Sequence, residues 1–328
     1  MRPRLTPAVA QVRSAVRDAL AEASKNDLVL VAVSGGPDSL ALAAGLAFEG
    51  PRLELKIGAV IVDHQLQAVS AEVAQTTAEK LAAIGFETVI VRQVTVQGTS
   101  EAAAREARYQ ALDDVANELG AKYVLLGHTL NDQAETVLLG LTQGSGARSL
   151  SGMAKSNGRY LRPLLGLTRS ITLEASVDLD PWHDPHNMSE KFTRVRVREN
   201  VLPVLEAELG PGVAEALNRT AEQLREDADY LEELALAEYH SMATLGSTSM
   251  TLPVASLAAL PNALRFRVIK HALEVFGSRP QRVHVLAVNE LIDDWHGQKE
   301  LTLPGVRVVR KGEALELKTT KTLKPGAC

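Results

Sequence analysis

Four short apolar runs constrain this chain more than any other feature. Residues 28–33 (Leu-Val-Leu-Val-Ala-Val), 57–62 (IGAVIV), 88–91 (TVIV) and 123–126 (YVLL) are separated by helix-length stretches rich in Ala, Glu and Gln, notably 70–83 and 101–119. A continuous apolar run, unlike an alternating one, suits a strand covered on both faces. Strands of that kind spaced by helices imply right-handed crossovers and a parallel, doubly wound α/β sheet.

The second half of the chain changes period. Val213, Leu217, Leu224, Leu231 and Leu234 recur near helical spacing, with Glu222, Arg225, Glu226 and Asp229 between them, as on an amphipathic helix. Residues 261–295 read as two more helices. Leu301, Leu303, Val306, Val308, Leu315 and Leu317 then alternate around Lys311-Gly312, which predicts a terminal β-hairpin. At 328 residues two domains are expected. The helix breakers in 206–212 (EAELGPG) place the join, giving 1–206 as the α/β domain and 207–328 as a smaller, mainly helical one.

Composition enters mainly through what it excludes. No apolar run reaches the ~18–20 residues of a bilayer span, and the first twenty residues lack the apolar stretch of a signal peptide. A cytoplasmic protein without a membrane partner is the expectation. With 35 basic and 40 acidic side chains the net charge is −5, so any nucleic-acid partner must be met by local patches. The single cysteine, Cys328, leaves no pair for thiol redox or sulfur-relay chemistry and too few ligands for a cysteine-held cluster.

The strongest local signal is Ser34-Gly35-Gly36-Pro37-Asp38-Ser39, between the first strand and the first helix of the alternation. Adjacent glycines let the backbone approach a ligand, and the free N–H groups of the following helix start, with the two serine hydroxyls, suit a phosphate. A loop at the carboxyl end of a parallel strand is where open α/β sheets bind ligands. It matches neither GxxxxGK[ST] nor GxGxxG.

That loop resembles the SGGxDS pyrophosphate loop of the N-type ATP pyrophosphatases, which cleave ATP between its α- and β-phosphates through an adenylated intermediate. Further motifs follow in order: Asp63-His64-Gln65-Leu66, Glu101 to Tyr109 (EAAAREARY), Gly127 to Thr136 (GHTLNDQAET), Gln143 to Gly146, Arg162 to Leu165, Asp184-Pro185-His186-Asn187, and Phe192 to Glu206. Together they resemble the bacterial tRNA(Ile)-lysidine synthetase family over about residues 28–206. The resemblance implies modification of the wobble cytidine of a CAU-anticodon isoleucine tRNA, with ATP and free L-lysine as co-substrates. The cytosine C2 oxygen would attack the α-phosphate and release pyrophosphate. The lysine ε-amine would then displace AMP from C2, and the tRNA would read AUA in place of AUG. Rival readings are a tRNA sulfur-transfer enzyme, which the cysteine content disfavours, and a non-catalytic adenine-nucleotide-binding RNA module.

On this resemblance Ser34, Gly35, Gly36, Pro37, Asp38 and Ser39 would hold ATP, with Asp63, His64 and Arg105 contributing. Asp38 and Asp132 would share Mg²⁺. An ε-amine of pKa ~10.4 is protonated at neutral pH, so a base is required; Asp38, Asp132, His64 and His128 are the candidates, a carboxylate favoured. Glu135 and Asp63 would bind the lysine α-ammonium, and Arg162, Asp184 and Asn187 would contact substrate. Each has an ordinary alternative: Asp132 also fits a helix cap, the histidines fit structural hydrogen bonds, and Glu101–Arg105 fits a surface pair. Lys191, Arg194, Arg196 and Arg198 form a basic cluster for RNA; if extended the arginines share one face, and if helical Arg194 and Arg198 align. Between Lys299 and Lys324 seven basic residues face three acidic ones, a second candidate RNA surface. Trp182 and Phe192 suit either base stacking or core packing. A homo-oligomer is compatible with the sequence.

Three positions depart from the family pattern: Asn131 in place of an Asp, Gln67 in place of an Arg, and Ser149 in place of a Gly. Because Asp132 and Glu135 are kept, an active enzyme is expected.

Overall fold

A computed structural model describes residues 5–65, 70–95, 101–144, 146–182 and 191–319. Asp184, Asn187, Gln67 and Cys328 lie outside the described residues. The chain forms two compact units, Met1–Leu224 and Arg225–Cys328.

In the first unit the elements run α1 (Pro7–Ala19), β1 (Leu28–Val33), α2 (Pro37–Glu49), β2 (Lys56–Asp63), α3 (Ser70–Ile84), β3 (Thr88–Gln93), α4 (Glu101–Leu119), β4 (Tyr123–Leu125), α5 (Leu130–Thr142), α6 (Ala147–Leu150), β5 (Ser156–Asn157), β6 (Tyr160–Leu161), α7 (Arg169–Ser176), α8 (Thr193–Arg196) and α9 (Leu202–Leu209). The sheet order is β3-β2-β1-β4-β6-β5. All pairings are parallel except β5 with β6, a short hairpin the sequence reading did not anticipate.

The unbroken apolar run of β1 is explained by its two covered faces. Val29, Val31 and Val33 pack with Val12 of α1, Leu40 and Leu46 of α2 and Leu81 of α3. Leu30 and Ala32 point the other way, against Leu112 and Val115 of α4. Burying each such Val or Leu contributes about 1.5–3 kcal/mol, so β1 anchors the loop that follows it. After β3 the chain returns to add β4 on the far side of β1. The strand order therefore reverses between β1 and β4, the position where a crevice opens at the carboxyl ends of the strands.

Helix α10 (Val213–Met242) follows Gly210 and Gly212, both at positive φ, as the breakers at 206–212 imply. The unit division falls later, within α10, because Ala214 packs with Leu130, Ala134, Val197 and Leu202 of the first unit.

In the second unit, β7 (Thr244–Leu245), β8 (Ser249–Pro253), α11 (Val254–Ala259), α12 (Asn262–Val275), α13 (Arg282–Asp293), β9 (Leu301–Leu303), β10 (Val306–Lys311) and β11 (Ala314–Thr319) follow. The expected hairpin is present, with Val306 paired to Thr319 and Lys311 to Ala314. It belongs to a five-stranded sheet ordered β7-β8-β11-β10-β9, more strand than the sequence reading anticipated. Val306, Val308, Leu315 and Leu317 turn inward against α12 and α13, which is the alternation seen in the sequence.

Candidate functional site

The loop after β1 is braced by its own side chains. The Ser34 N–H donates to Ser39 Oγ at 3.1 Å, and that hydroxyl donates to the Gly36 carbonyl at 2.9 Å. Gly35 takes φ +84°, and a Cβ there would stand 2.7 Å from Thr77 Oγ1. Glycine is required on both counts. The Trp182 N–H donates to the Gly35 carbonyl at 2.9 Å, pinning the loop from the other side. Gly36 caps α2 and Pro37 opens it, so the N–H groups of Asp38 and Ser39 belong to the helix start, where no intrahelical acceptor is available. Beside them Gly127, just after β4, runs so close that a Cβ would meet the Ser39 Cα at 3.2 Å.

Next to the loop lies a cavity of about 170 Å³, lined by Ser34, Asp63, His64, Val73, Ala74 and Trp182 among others. Asp63 is buried, and its Oδ1 accepts from the Gln65 N–H at 2.9 Å, turning the chain at the end of β2. The His64 imidazole is held below its ordinary pKa by burial and by Arg108, against the pull of Asp63.

The carboxylates gather on the other side of the loop. Asp38 accepts a short hydrogen bond from Thr172 of α7, and its Oδ2 lies 3.5 Å from Arg169 Nε. Burial raises the Asp38 carboxyl above the usual range, although Thr172 and Arg169 oppose it. Asp132 does serve as part of a capping box on α5: Oδ2 accepts from the Thr129 N–H and hydroxyl, both at 2.8 Å. Its Oδ1 accepts from Arg169 Nη2 at 3.0 Å and from Arg198 Nη2 at 3.4 Å. Burial alone would raise this carboxyl, but Arg169, the Thr129 bonds and His128 outweigh it and hold it low.

Glu135, with no exposed surface, accepts from Arg198 at 2.6 and 3.0 Å, while Arg194 and Arg169 stand 3.5 and 3.8 Å away. Fully buried, unlike the partly open Asp38 and Asp132, it holds arginines in place and has no surface to offer a lysine α-ammonium in this arrangement. Arg194 and Arg198 converge because residues 193–201 are helical, one α turn and then a π turn. Arg196 points elsewhere, toward Thr193 and the Lys191 carbonyl.

A third group is cationic, and among the described residues no carboxylate is paired with its arginines. His128 is pushed down to about 3 by burial, with Asp132 pulling upward and Arg108, Arg162 and Arg105 pushing further down. It is therefore neutral at physiological pH. Arg105 lies over the Tyr109 ring at 5.0 Å. Arg162 is buried and bonded to the Ala154 carbonyl at 2.9 Å and the Tyr109 hydroxyl at 3.3 Å, so it braces α4 against the 154–162 hairpin. The side chain of Glu101, the expected partner of Arg105, lies outside the described residues.

Three contributors were not singled out as site residues in the sequence, Arg108, Arg169 and Thr172, while Trp182, noted there for stacking or packing, stands in the cavity wall. Arg108 lies inside the motif Glu101 to Tyr109, where the sequence reading assigns a role only to Arg105. Arg169 and Thr172 carried no local signal, since their roles come from the packing of α7 against α1 and α2. Asn131 also gains a physical account, because its Oδ1 accepts from the Arg169 backbone N–H at 2.9 Å. An amide serves there as well as a carboxylate. Ser149 lies in α6, against Gly140 of α5.

The fit of Mg²⁺ to Asp38 and Asp132 can be tested from these contacts. All four carboxylate oxygens already face a hydroxyl, an N–H or a guanidinium. Among the described residues no group of three or more His, Cys, Asp or Glu side chains is placed to hold a metal. The pair does not fit a protein-held Mg²⁺ site.

The surface of the second unit is partly self-neutralised. Glu316 pairs with both Lys311 and Lys318, and Glu300 with Arg307. Lys321 and Lys324 lie outside the described residues. Among the described residues no helix is long and apolar enough to cross a membrane.

Comparison with known proteins agrees with this geometry. Residues 8–205 match the PP-loop domain family and residues 252–315 the TilS substrate binding domain. A tRNA(Ile)-lysidine synthase from Leifsonia xyli subsp. xyli is 54% identical over 294 residues, covering 88% of this chain and 89% of the relative. One from Thermobifida fusca is 49% identical over 312 residues, covering 93% and 95%. In fold the chain is similar to the U34-tRNA thiolase NcsA from Methanococcus maripaludis with its [4Fe-4S] cluster, with a TM-score of 0.57 at 18% identity, over 67% of this chain and 79% of that one. The self-braced loop at the strand-order reversal, the two matched domains and the near-full-length identity place this chain in the tRNA(Ile)-lysidine synthase family.

Proposed function

We propose that the chain forms lysidine on tRNA(Ile) in two steps, adenylation of the wobble cytidine and attack by lysine, at the crevice between β1 and β4. ATP-dependent lysidine formation is the activity of the family to which the chain belongs. The assignment of steps to residues is our own reading. The observation that carries it is the meeting of two chemically different surfaces at one loop, a braced anion cradle and a carboxylate cluster.

ATP enters as its magnesium complex, a substrate in its own right. The adenine end occupies the cavity beside Asp63, His64 and Trp182, and the phosphates lie on Ser34, Gly35, Gly36 and Ser39. The α2 N-terminus and the loop N–H groups stabilise the charge that develops on pyrophosphate as the cytosine C2 oxygen attacks the α-phosphorus. Arg105 and Arg108 face the resulting adenylate or an adjacent RNA phosphate. Neutral His128 acts as a hydrogen-bonding group, since an imidazole with a pKa of about 3 is too weak a base for an ammonium.

Lysine approaches from the carboxylate side. Asp38, raised by burial and partly open to solvent, takes the ε-ammonium proton; Asp132 orients the amine; and Glu135 positions the arginines around both. The amine bonds to C2, the C2–O bond breaks, and AMP leaves with the oxygen. The 252–315 domain and the basic residues near Arg196 hold the tRNA, and a cytoplasmic setting follows from that substrate.

The direct test is incorporation of labelled lysine into tRNA with and without ATP, followed by mild alkali. ATP-dependent label that survives alkali supports the reading, because an aminoacyl ester would hydrolyse. ATP binding without label would refute it.

A further inference from the structure

Three carboxylates, Asp38, Asp132 and Glu135, crowd the lysine side of the crevice, and something must offset their charge. A metal ion is the usual candidate in a nucleotide-dependent site, yet the oxygens that would ligate it are occupied. Arg194 and Arg198 meet Glu135, and Arg198 also meets Asp132, but one side chain, from an element that comes late in the unit, reaches all three acids.

We propose that Arg169 is the resident cation shared by all three acids of this cluster, and the one that serves Asp38. Its guanidinium, in place of a protein-held Mg²⁺, joins the Asp38 loop to the Asp132 helix and fixes the positions at which lysine is received. The proposal rests on the reading above only for the identity of the incoming amine.

Three observations support it. Arg169 reaches all three acids, at 3.5 Å to Asp38, 3.0 Å to Asp132 and 3.8 Å to Glu135. Its backbone is fixed as well, with the N–H donated to Asn131 Oδ1 at 2.9 Å, while Thr172 of the next turn, fully buried, donates to Asp38. One turn of α7 thus ties α2 to α5 through three separate contacts. The third is chemical. Mg²⁺ requires near-octahedral oxygen ligation at 2.0–2.1 Å, whereas a guanidinium is satisfied by the splayed carboxylates present here and keeps its charge at any working pH.

The arrangement has a consequence for the reaction. A fixed positive charge beside an arriving ammonium lowers that ammonium's hold on its proton. Arg169 therefore assists Asp38 without touching the reacting atoms; it is a positioning residue.

The test uses the full-length protein without nucleotide, titrated with Mn²⁺ and followed by electron paramagnetic resonance. Wild type and R169K are expected to bind no Mn²⁺ in the millimolar range, whereas R169M, with Asp38 stripped of its guanidinium and Asp132 left only the longer contact to Arg198, gains a site that Mg²⁺ displaces. In lysine incorporation, R169K should keep kcat within about tenfold, and R169M should lose about 10²–10³-fold in kcat with the KM for ATP little changed. For R169M the rise of kcat/KM for lysine with pH should move to higher pH, a change that simple loss of folded protein would not produce. If R169M does not fold, R169K alone decides, through Mn²⁺ exclusion and a retained pH profile. Stoichiometric Mn²⁺ binding by the wild type that D132N abolishes would overturn the proposal, as would an R169M enzyme with wild-type kcat and pH profile. The Mn²⁺ measurement involves neither tRNA nor lysine, so its outcome stands apart from that of the lysidine assay.

Discussion

Removal of Arg198 is the most informative single perturbation of the carboxylate cluster. Its guanidinium grips Glu135 at 2.6 and 3.0 Å, and Glu135 has no exposed surface. Breaking a buried pair by deleting one partner costs about 3–5 kcal/mol, mostly the penalty of the charge left behind. Arg194 at 3.5 Å and Arg169 at 3.8 Å remain and soften that penalty. For R198M we therefore expect the low end, about 3 kcal/mol at pH 8, or roughly 6–12 °C in Tm for a unit of this size.

The sign of the pH dependence follows from the same contacts. Burial holds the Glu135 carboxyl above its ordinary range while Arg198 opposes that rise, so losing Arg198 raises it further. A carboxyl raised in the folded state contributes stability below its unfolded pKa, and that contribution is lost as pH rises through the folded value. The deficit of R198M should accordingly be small near pH 5 and grow toward pH 8. Urea unfolding followed by Trp182 fluorescence in a W295F background reports the first unit, because the sequence holds only these two tryptophans. The double variant R198M/E135L, which removes the stranded charge, should recover most of the loss. A deficit equal at both pH values, or none at pH 8, would refute this electrostatic account.

Three further outcomes are expected. G35A forces a Cβ to within 2.7 Å of Thr77 Oγ1 at φ +84°, so it should weaken ATP binding at least tenfold by calorimetry while leaving the second unit's unfolding unchanged. Because the Asp38 carboxyl is raised by burial and acts in its ionised form, lysine incorporation should rise with pH through that ionisation; H128Q should leave this limb in place, since burial and the neighbouring arginines push the His128 imidazole down to about 3 and keep it neutral there. N131D should retain activity within a few-fold and N131L should lose it, because position 131 serves as an acceptor for the Arg169 N–H; equal activity of both variants would sink that assignment.

What the sequence revealed and what it hid divide along contact range. The four strands, the loop after β1 and helices such as α4 and α12 follow from local periodicity and glycine spacing, and the structure has them at or near the expected residues. Strands β5 to β8 were not legible, because two- to five-residue strands leave too little alternation to register. At the site, the motif residues were legible because each sits at the end of a regular element. Arg169 and Thr172 were not, since a short helix with a Thr-Arg-Ser start looks like any other until its docking partner is known. The two options for Arg194, Arg196 and Arg198 were decided by a helix that ends in a π turn, which aligned Arg194 with Arg198 and sent Arg196 elsewhere.

The charge distribution gives the two-step reaction a physical logic. Asp38, Asp132 and Glu135 carry three negative charges, and Arg169, Arg194 and Arg198 carry three positive ones, so this cluster is neutral before substrate arrives. Around His128, Arg105, Arg108 and Arg162 stand without an acidic partner among the contacts described, leaving that side positive. Polyanionic ATP and the RNA backbone are drawn to the positive side, while an amine must enter the neutral one. Once Asp38 accepts a proton the cluster becomes positive by one, which disfavours a second ammonium and favours the uncharged nucleophile. On this reading the order of the steps, adenylation first and amine attack second, is favoured by which of the two faces each substrate can approach.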